Sequence, residues 1–367
     1  MRKRQGPLAD VRIVEMEAIG PVPLAAMILA DMGADVVRLV RPGHQAMGGA
    51  VLSRSRTTVE VDLKTPEGRE AALALIAQAD ALIEGYRPGV MERLGLGPDQ
   101  VRADNSRLVF GRMTGWGQTG PLASLAGHDI NYISLTGALH AIGRAGSPPL
   151  PPLNLVGDYG GGAMFLISGL LAGIIRARET GKGDVVDVAM TEGTLTLLSM
   201  FHAFIADNQW QDRREANLLD GGAHFYRCYE CADGKHVAVG CLEPQFYAAC
   251  LAGLGLDPAT HPQYPASRWP EMAEAFARCF RGKTRDQWAE LFAGTDACIT
   301  PVLSFEEAPN HDHNLSRRSY ADVDGVAQAA PAPRFSDAPT SVRAARLSTV
   351  ENVLESWSRR NATQCAS

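Results

Sequence analysis

"VRIVEMEAIGPVPLAAMILADMGADVVRLV", residues 11–40, reads as strand, helix, strand, and that order decides the fold. VRIVEM (11–16) and DVVRLV (35–40) are short runs rich in β-branched residues. Between them LAAMILADM (24–32) is a helix-forming run free of Pro and Gly. Strands joined through a helix pair in parallel, because a crossover has to return the chain to the same edge. The alternation continues outward with a strand at TVEVDL (58–63) and a helix at PEGREAALALIAQ (66–78), whose Pro66 stands at the first helical position. Further strands follow at ALIEGY (81–86) and RLVFGRMTGW (107–116). Such alternation means a parallel sheet with helices on both faces, an α/β domain.

The residues from 160 to 178 form an apolar helix with a basic last turn, and Gly181 serves as its C-cap. A strand at DVVDVAM (184–190) leads into a helix over TEGTLTLLSMFHAFIADNQ (191–209), where Thr191 can cap. Past a polar stretch the character changes. HFYRCYECADGKHVAVGCL (224–242) reads as a hairpin turning at Asp233-Gly234, followed by helices that include EMAEAFARCF and RDQWAELFA and by a strand at CITPVL. The organisation expected is therefore a large domain over 1–205, a linker over 206–223 and a small α+β domain over 224–325. The tail from 326 to 367 runs back to complete the large domain.

Bulk properties narrow the function. A chain of 367 residues is long for one core, and 46% hydrophobic with 21% charged residues is the composition of a globular protein. A formal charge of −6 gives no net basic field to attract nucleic acid. No apolar segment follows the basic start MRKRQGPLAD, so no secretory signal is expected. The longest apolar run, AMFLISGLLAGII (163–175), would span about 20 Å as a helix, short of a bilayer core, so no membrane partner is expected either. Seven cysteines, an odd number, suggest reduced thiols and a cytoplasmic location. The end Cys365-Ala366-Ser367 does not match a peroxisomal address.

The turn after the first strand, EAIGPVPL, lacks the dinucleotide-binding Gly-x-Gly-x-x-Gly. Gly181-Lys182 is no phosphate loop, since Arg176 stands where its first Gly belongs. Cys228 and Cys231 are three apart on a strand and so face opposite sides, which argues against a shared metal. Three sites remain. Gly127-His128-Asp129 precedes a helix-like run, where a helix cap is the plain alternative to catalysis. Asp158 precedes Gly160, Gly161 and Gly162 at what reads as a helix start, a place where a ligand can approach backbone amides. Glu243-Pro244 stands where the hairpin passes into a helix.

Together these sites lie in strings that resemble one known family. EAIGPVPLAAMILADMGADVVRLVRPG, RMTGWGQTGPLASLAGHDINYISLTGALHAIG, NLVGDYGGG, DGGAHFYRCYECADGKHVAVGCLEPQFY and DVDGVAQAAPAPRFS are similar, in the same order, to the alpha-methylacyl-CoA racemases, within the family III CoA-transferase superfamily. The resemblance implies a Rossmann-like large domain, a smaller α+β domain and an interlocked homodimer. It implies that His128 and Asp158 flank the α-carbon of an acyl-CoA thioester, and that Glu243 supports the His, with Asp129 as the orienting or capping neighbour of His128. Two bases suit that chemistry, because inversion takes a proton from one face and returns one to the other. For binding CoA it points to Arg41, Leu63, Lys64, Tyr86, Arg93, Gly127, Asp129, Ile130, Asn131 and Tyr132. Arg54 and Arg56 are further candidate phosphate partners, and the resemblance places Asn154, Met190 and Tyr226 near the acyl group. CoA enters as part of the substrate, so neither a separate cofactor nor a metal is expected. Amides at 127–131 and at Gly160, Gly161 and Gly162 are candidate donors to an enolate oxygen.

Two other readings compete. In a family III CoA-transferase the residue matching Asp158 is a nucleophile that forms an acyl anhydride, but His128 and Glu243 then have no task. A non-catalytic acyl-CoA binder would need the cations but none of the three catalytic candidates.

Overall fold

The computed structural model describes residues 5–43 and 48–364, with side chains up to residue 359. The first four residues of the basic start and the end Cys365-Ala366-Ser367 lie outside the described residues. Twelve strands run in chain order among them. The first six are β1 (Arg12–Met16), β2 (Asp35–Val40), β3 (Thr57–Glu60), β4 (Ala81–Glu84), β5 (Val109–Thr114) and β6 (Val185–Ala189). The others are β7 (Tyr226–Glu230), β8 (His236–Gly240), β9 (Ile299–Pro301), β10 (Tyr320–Val323), β11 (Val326–Ala329) and β12 (Arg346–Ser348).

The chain divides into two compact units. The first holds residues 1–136, 153–197 and 312–367, the second 137–152 and 198–311. In the first unit seven strands form one sheet in the order β12-β3-β2-β1-β4-β5-β6, every neighbouring pair parallel. β1 is central and buried on both sides. Val11 and Ile13 face a core shared with the helices Pro21–Asp31 and Met164–Thr180, while Val14 and Met16 face one shared with Pro66–Ile76 and with Val353 and Trp357 of the C-terminal helix. That double burial is why these strands read as nearly continuous apolar runs. Order reverses at β1, whose neighbours β2 and β4 lead away in opposite directions, so the carboxyl ends of β1 and β4 open a crevice of the kind α/β sheets use for ligands.

The apolar helix begins earlier than its sequence suggests. Residues Leu155–Ala163 form a π-helical stretch that continues as the α-helix Met164–Thr180, and Asp158 lies on the π-helical part. π-helix is rare and concentrates at functional places. Its glycines serve close packing inside the protein, not the approach of a ligand. A Cβ at Gly161 would lie 2.7 Å from Thr194 Oγ1, and one at Gly193 only 1.9 Å from the Gly161 carbonyl oxygen. The helix Met190–Leu197 therefore rests directly on the backbone of the π-helical turn. It begins at Met190, so Thr191 is not its cap, and a separate helix follows at Ser199–Ala206. The two-part helix Leu155–Thr180 spans 26 residues and is long and apolar enough by length and composition to cross a bilayer, so the shortness expected from the 13-residue apolar run does not hold. Its side chains Leu166, Leu170 and Ile174 are buried against the sheet, the use expected of a core helix.

The second unit is built on the antiparallel sheet β7-β8-β9 and an aromatic core. Phe276 packs against Tyr247 with ring centroids 6.2 Å apart and against His224 at 5.1 Å. His224 is fully buried with Nε2 2.8 Å from the Tyr247 hydroxyl, and burial lowers its pKa to about 4, so it stays neutral. Cys228 is exposed and Cys231 buried, on opposite faces of the chain. The unit's boundaries differ from those expected at both ends. Residues 206–223 are not a linker. The Asn217 amide group bonds the carbonyls of Gln211 and Arg213 and the Asp220 carboxylate, closing the stretch into a compact loop. Residues 137–152 leave the large domain because Arg214 bonds the carbonyls of His140, Arg144 and Ser147, and Arg144 pairs with Glu215 at 2.7 Å. Residues 312–325 join the first unit, where β10 and β11 form a hairpin.

Backbone contact at Gly193 makes a test. Gly193→Ala overpacks the two helices and is expected to lower stability by about 2–3 kcal/mol. A chemical-denaturation change below about 0.5 kcal/mol, the range of neutral surface substitutions, would contradict it.

Candidate active site

His128 stands in extended backbone immediately before the helix Asp129–Ser134. Its amide donates to Asn131 Oδ1 at 3.1 Å, and its carbonyl accepts from the amides of Asn131 and Tyr132. The turn is held from beneath by Tyr132, which packs edge-on against Trp116 at 4.8 Å and donates from its hydroxyl to the Gly127 carbonyl. A Cβ at Gly115 or Gly127 would meet that ring at 2.0 Å or 2.7 Å, so glycine is required at both. With the backbone pinned, the imidazole of His128 is left exposed on the surface of the turn.

Asp129 does not orient His128, contrary to the expectation from sequence. Its side chain turns inward, 6% exposed, and Oδ2 accepts from the Asp158 amide at 2.7 Å. That bond brings the His128 turn and the Asp158 turn together. Asp158 Oδ2 accepts from Asn154 Nδ2 at 3.2 Å. Gly20, in left-handed backbone at the start of the helix Pro21–Asp31, lies so near that a Cβ there would stand 3.0 Å from the same oxygen. Sequence reasoning missed Gly20, although a Gly-Pro step straight after the first strand was its signal. Burial pushes the Asp158 carboxyl above the usual carboxylate range, and the Asp129 charge adds to this. The Asn154 hydrogen bond and the His128 charge act the other way. A half-buried carboxyl beside an imidazole can accept a proton and give one back.

The other expected residues fall into three groups. At the carboxyl edge of the sheet, Arg41 is exposed just after β2 and its amide donates to Glu17 Oε2 at 3.1 Å. Half-buried Tyr86 follows β4, its hydroxyl raised to about 12 by burial and by the charges of Glu17 and Glu84. Leu63 is half-buried after β3, and Lys64, Arg93, Ile130 and Asn131 are exposed. In the second unit, Glu243 is exposed at the start of the helix Pro244–Leu254 and makes no capping bond with its side chain. Tyr226 lines a cavity of about 540 Å³ with Leu150, Cys228, Ala238 and Thr300.

The third group is turned into the protein. Arg54 is 3% exposed and bonds Asp31 Oδ2 at 2.7 Å, Gln328 Oε1 at 2.8 Å and the Ala329 carbonyl. Arg56 is 1% exposed and pairs with Glu15 at 2.5 Å. Both were expected at phosphates. Instead they are internal counter-ions for buried carboxylates, and a run of arginines in a polar sequence gives no sign of which ones will be covered. Met190 is buried in the core against the π-helical turn and offers no wall to an acyl chain. Gly160, Gly161 and Gly162 lie inside the helix that begins at Leu155, so their amides are not first-turn donors.

The model of CoA-transferase family III matches residues 8–346. The chain belongs to CoA-transferase family III. Within the family it is 44% identical over 341 residues to the alpha-methylacyl-CoA racemase of Mus musculus, covering 92% of this chain and 89% of the mouse protein. It is 29% identical over 342 residues to the succinyl-CoA--D-citramalate CoA-transferase of Chloroflexus aurantiacus, covering 86% and 83%. The fold matches the crystal structure of a CAIB/BAIF family protein from Brucella suis with a TM-score of 0.79 at 23% identity, covering 94% of this chain and 97% of that one.

The contrast among the arginines can be measured. Arg54→Ala strands the Asp31 charge and is expected to cost about 3–5 kcal/mol of stability. Arg41→Ala, at an exposed position, should stay within about 0.5 kcal/mol of the parent in the same denaturation experiment.

Proposed function

We propose that this chain is a racemase that inverts the α-methyl stereocentre of 2-methylacyl-CoA thioesters. One base takes the α-proton, and the electron pair moves into the thioester to form a planar enolate. The other base then delivers a proton to the opposite face. His128 and Asp158 are the two bases, and the observation that carries the reading is their convergence at one site of the first unit. The upward push on the Asp158 carboxyl supports it, because a carboxyl closer in proton affinity to an imidazole works in both directions. The 44% identity to the mouse racemase points the same way. Glu243, exposed and with no capping bond from its side chain, is the third catalytic candidate, a carboxylate of the kind that supports a catalytic imidazole.

The enolate oxygen would be met by the amides of Asp129 and Ile130, since those of Asn131 and Tyr132 are taken by the His128 carbonyl. Arg41, Lys64 and Arg93, exposed after β2, β3 and β4, are the cations for the CoA phosphates, with apolar surface from half-buried Leu63 and Tyr86. CoA is part of the substrate, and two proton-transferring side chains need no further cofactor. We further propose that the protein works as a homodimer in the cytoplasm. Exposed Leu135, Leu153, Leu155, Leu195 and Leu197 lie on or beside elements packed on one another, an apolar surface suited to a second copy. The six described cysteines are free thiols, as a reducing compartment would leave them.

Incubation of (2R)- and (2S)-2-methylacyl-CoA separately in D₂O should give deuterium at the α-carbon by NMR and convergence of both epimers to one mixture. His128→Ala should retain thioester binding and lose epimerisation by about 10²–10⁴-fold. Absence of exchange together with CoA transfer to an added carboxylic acid would sink the racemase reading and make Asp158 a nucleophile.

A further inference from the structure

Asp129 has a position that the two-base scheme does not use. Its carboxylate is buried, Oδ2 holds the Asp158 amide at 2.7 Å, and Oδ1, buried too, accepts no hydrogen bond among the described residues. Acidic side chains in a first helical turn ordinarily answer their own helix's free amides. Asp129 instead reaches across to another helix. Gly157 makes room for it, since a Cβ there would lie 2.7 Å from Asp129 Oδ2.

Anchoring one amide does not need a charge. An asparagine carbonyl would accept the same hydrogen bond without the cost of placing one buried carboxylate next to another. The charge bears instead on its ionisable neighbours: adding to burial, it raises the Asp158 carboxyl and also the Tyr132 hydroxyl, on which the Arg87 charge acts the other way. Of the elements packed against the turn that carries Asp158, the helix Asp129–Ser134 and its cap bring His128, Asp129 and Tyr132. The helix Pro21–Asp31 brings uncharged Gly20, Pro21 and Val22 at its near end. The helix Met190–Leu197 brings Glu192 and β6 brings Asp187, both exposed. Asn154 is a polar neighbour that donates to the Asp158 carboxylate. Asp129 is thus the buried negative charge facing Asp158.

We propose that Asp129 is a positioning residue for Asp158: one oxygen fixes the backbone that carries Asp158, and its charge opposes a second negative charge there. A protonated Asp158 is thereby favoured, which a two-base inversion needs in the direction where this carboxyl must donate. The inference rests on the racemase reading for its purpose but not for its physical content. Burial and the Asp129 charge both raise the Asp158 carboxyl, and the direction agrees.

The test uses the full chain and two readouts. Aspartate ¹³Cγ NMR follows the Asp158 carboxyl directly, its resonance assigned by its loss in Asp158→Asn, and deuterium wash-in from D₂O follows catalysis. In Asp129→Asn the amide clamp persists but the charge is gone. Asp158 should then titrate at lower pH than in the parent, and the acid limb of the wash-in pH profile should move the same way. In Asp129→Ala the clamp is lost as well, and wash-in should fall by up to about a hundredfold through misplacement of the base. Should the Ala variant fail to fold, Gly157→Ala disturbs the same clamp from its other side and should lower the rate with the Asp129 charge retained. An Asp158 titration in Asp129→Asn that superimposes on the parent's overturns the proposal. A shifted titration in a protein that washes in no deuterium upholds the positioning role and removes the racemase reading instead.

Discussion

The contact between Gly193 and the Gly161 carbonyl is the constraint on which the candidate site depends. It brings the helix that leaves β6 down onto the π-helical turn, backbone against backbone, with no side chain between them. Once the turn is seated there, the Asp158 carboxyl lies beside Gly20 after β1 and its amide meets Asp129. The Asp129 bond then sets the distance between two segments that are 29 residues apart in sequence. Widening the helix spacing by one methyl group would move Asp158 relative to His128. Proton transfer is sensitive to displacements of that size.

Buried charge is the second organising feature of the first unit. Arg56 sits against Glu15 on the central strand, Arg54 against Asp31 at the end of the first helix, and Arg112 against Glu84 at 3.0 Å and Glu92 at 2.7 Å. Pairs of this kind return little net stability, because each ion loses its water on burial. What they do is join particular segments. Arg54 also bonds Gln328 and the Ala329 carbonyl, so the C-terminal hairpin is tied to the N-terminal half by the group that neutralises Asp31. Glu84 shows the cost. Burial raises its carboxyl to about 7 despite the Arg112 guanidinium and the Tyr86 amide. Its protonated form is favoured in the folded chain, so its contribution to stability is complete below about pH 4.5 and is lost as pH rises towards 7.

At the site the two kinds of constraint meet. Close glycine packing places the backbone, and the buried Asp129 charge acts on the group that the backbone presents. His128 is treated differently, exposed on a turn whose stiffness comes from Tyr132 wedged between Gly115 and Gly127. The Asp158 carboxyl is half-buried and raised, while the His128 imidazole is exposed.

Much of the fold was legible in the residues alone. The strand–helix–strand of 11–40, the helix start at Pro66, and the hairpin at Asp233-Gly234 are specified within a few residues of chain. Local spacing and turn chemistry suffice for such elements. His128, Asp158 and Glu243 stood out as a set through their strings and resemblance, not through any one motif. Tertiary structure alone decided which arginines are covered, that Met190 is core, and that the glycines after Asp158 admit a helix and not a ligand. It also turned Asp129 away from its neighbour in sequence and towards Asp158, and it assigned residues 137–152 to the second unit through Arg214. Each of these outcomes depends on a partner far along the chain. A charged or small side chain carries no local mark of whether water, an opposite charge or a backbone carbonyl will meet it.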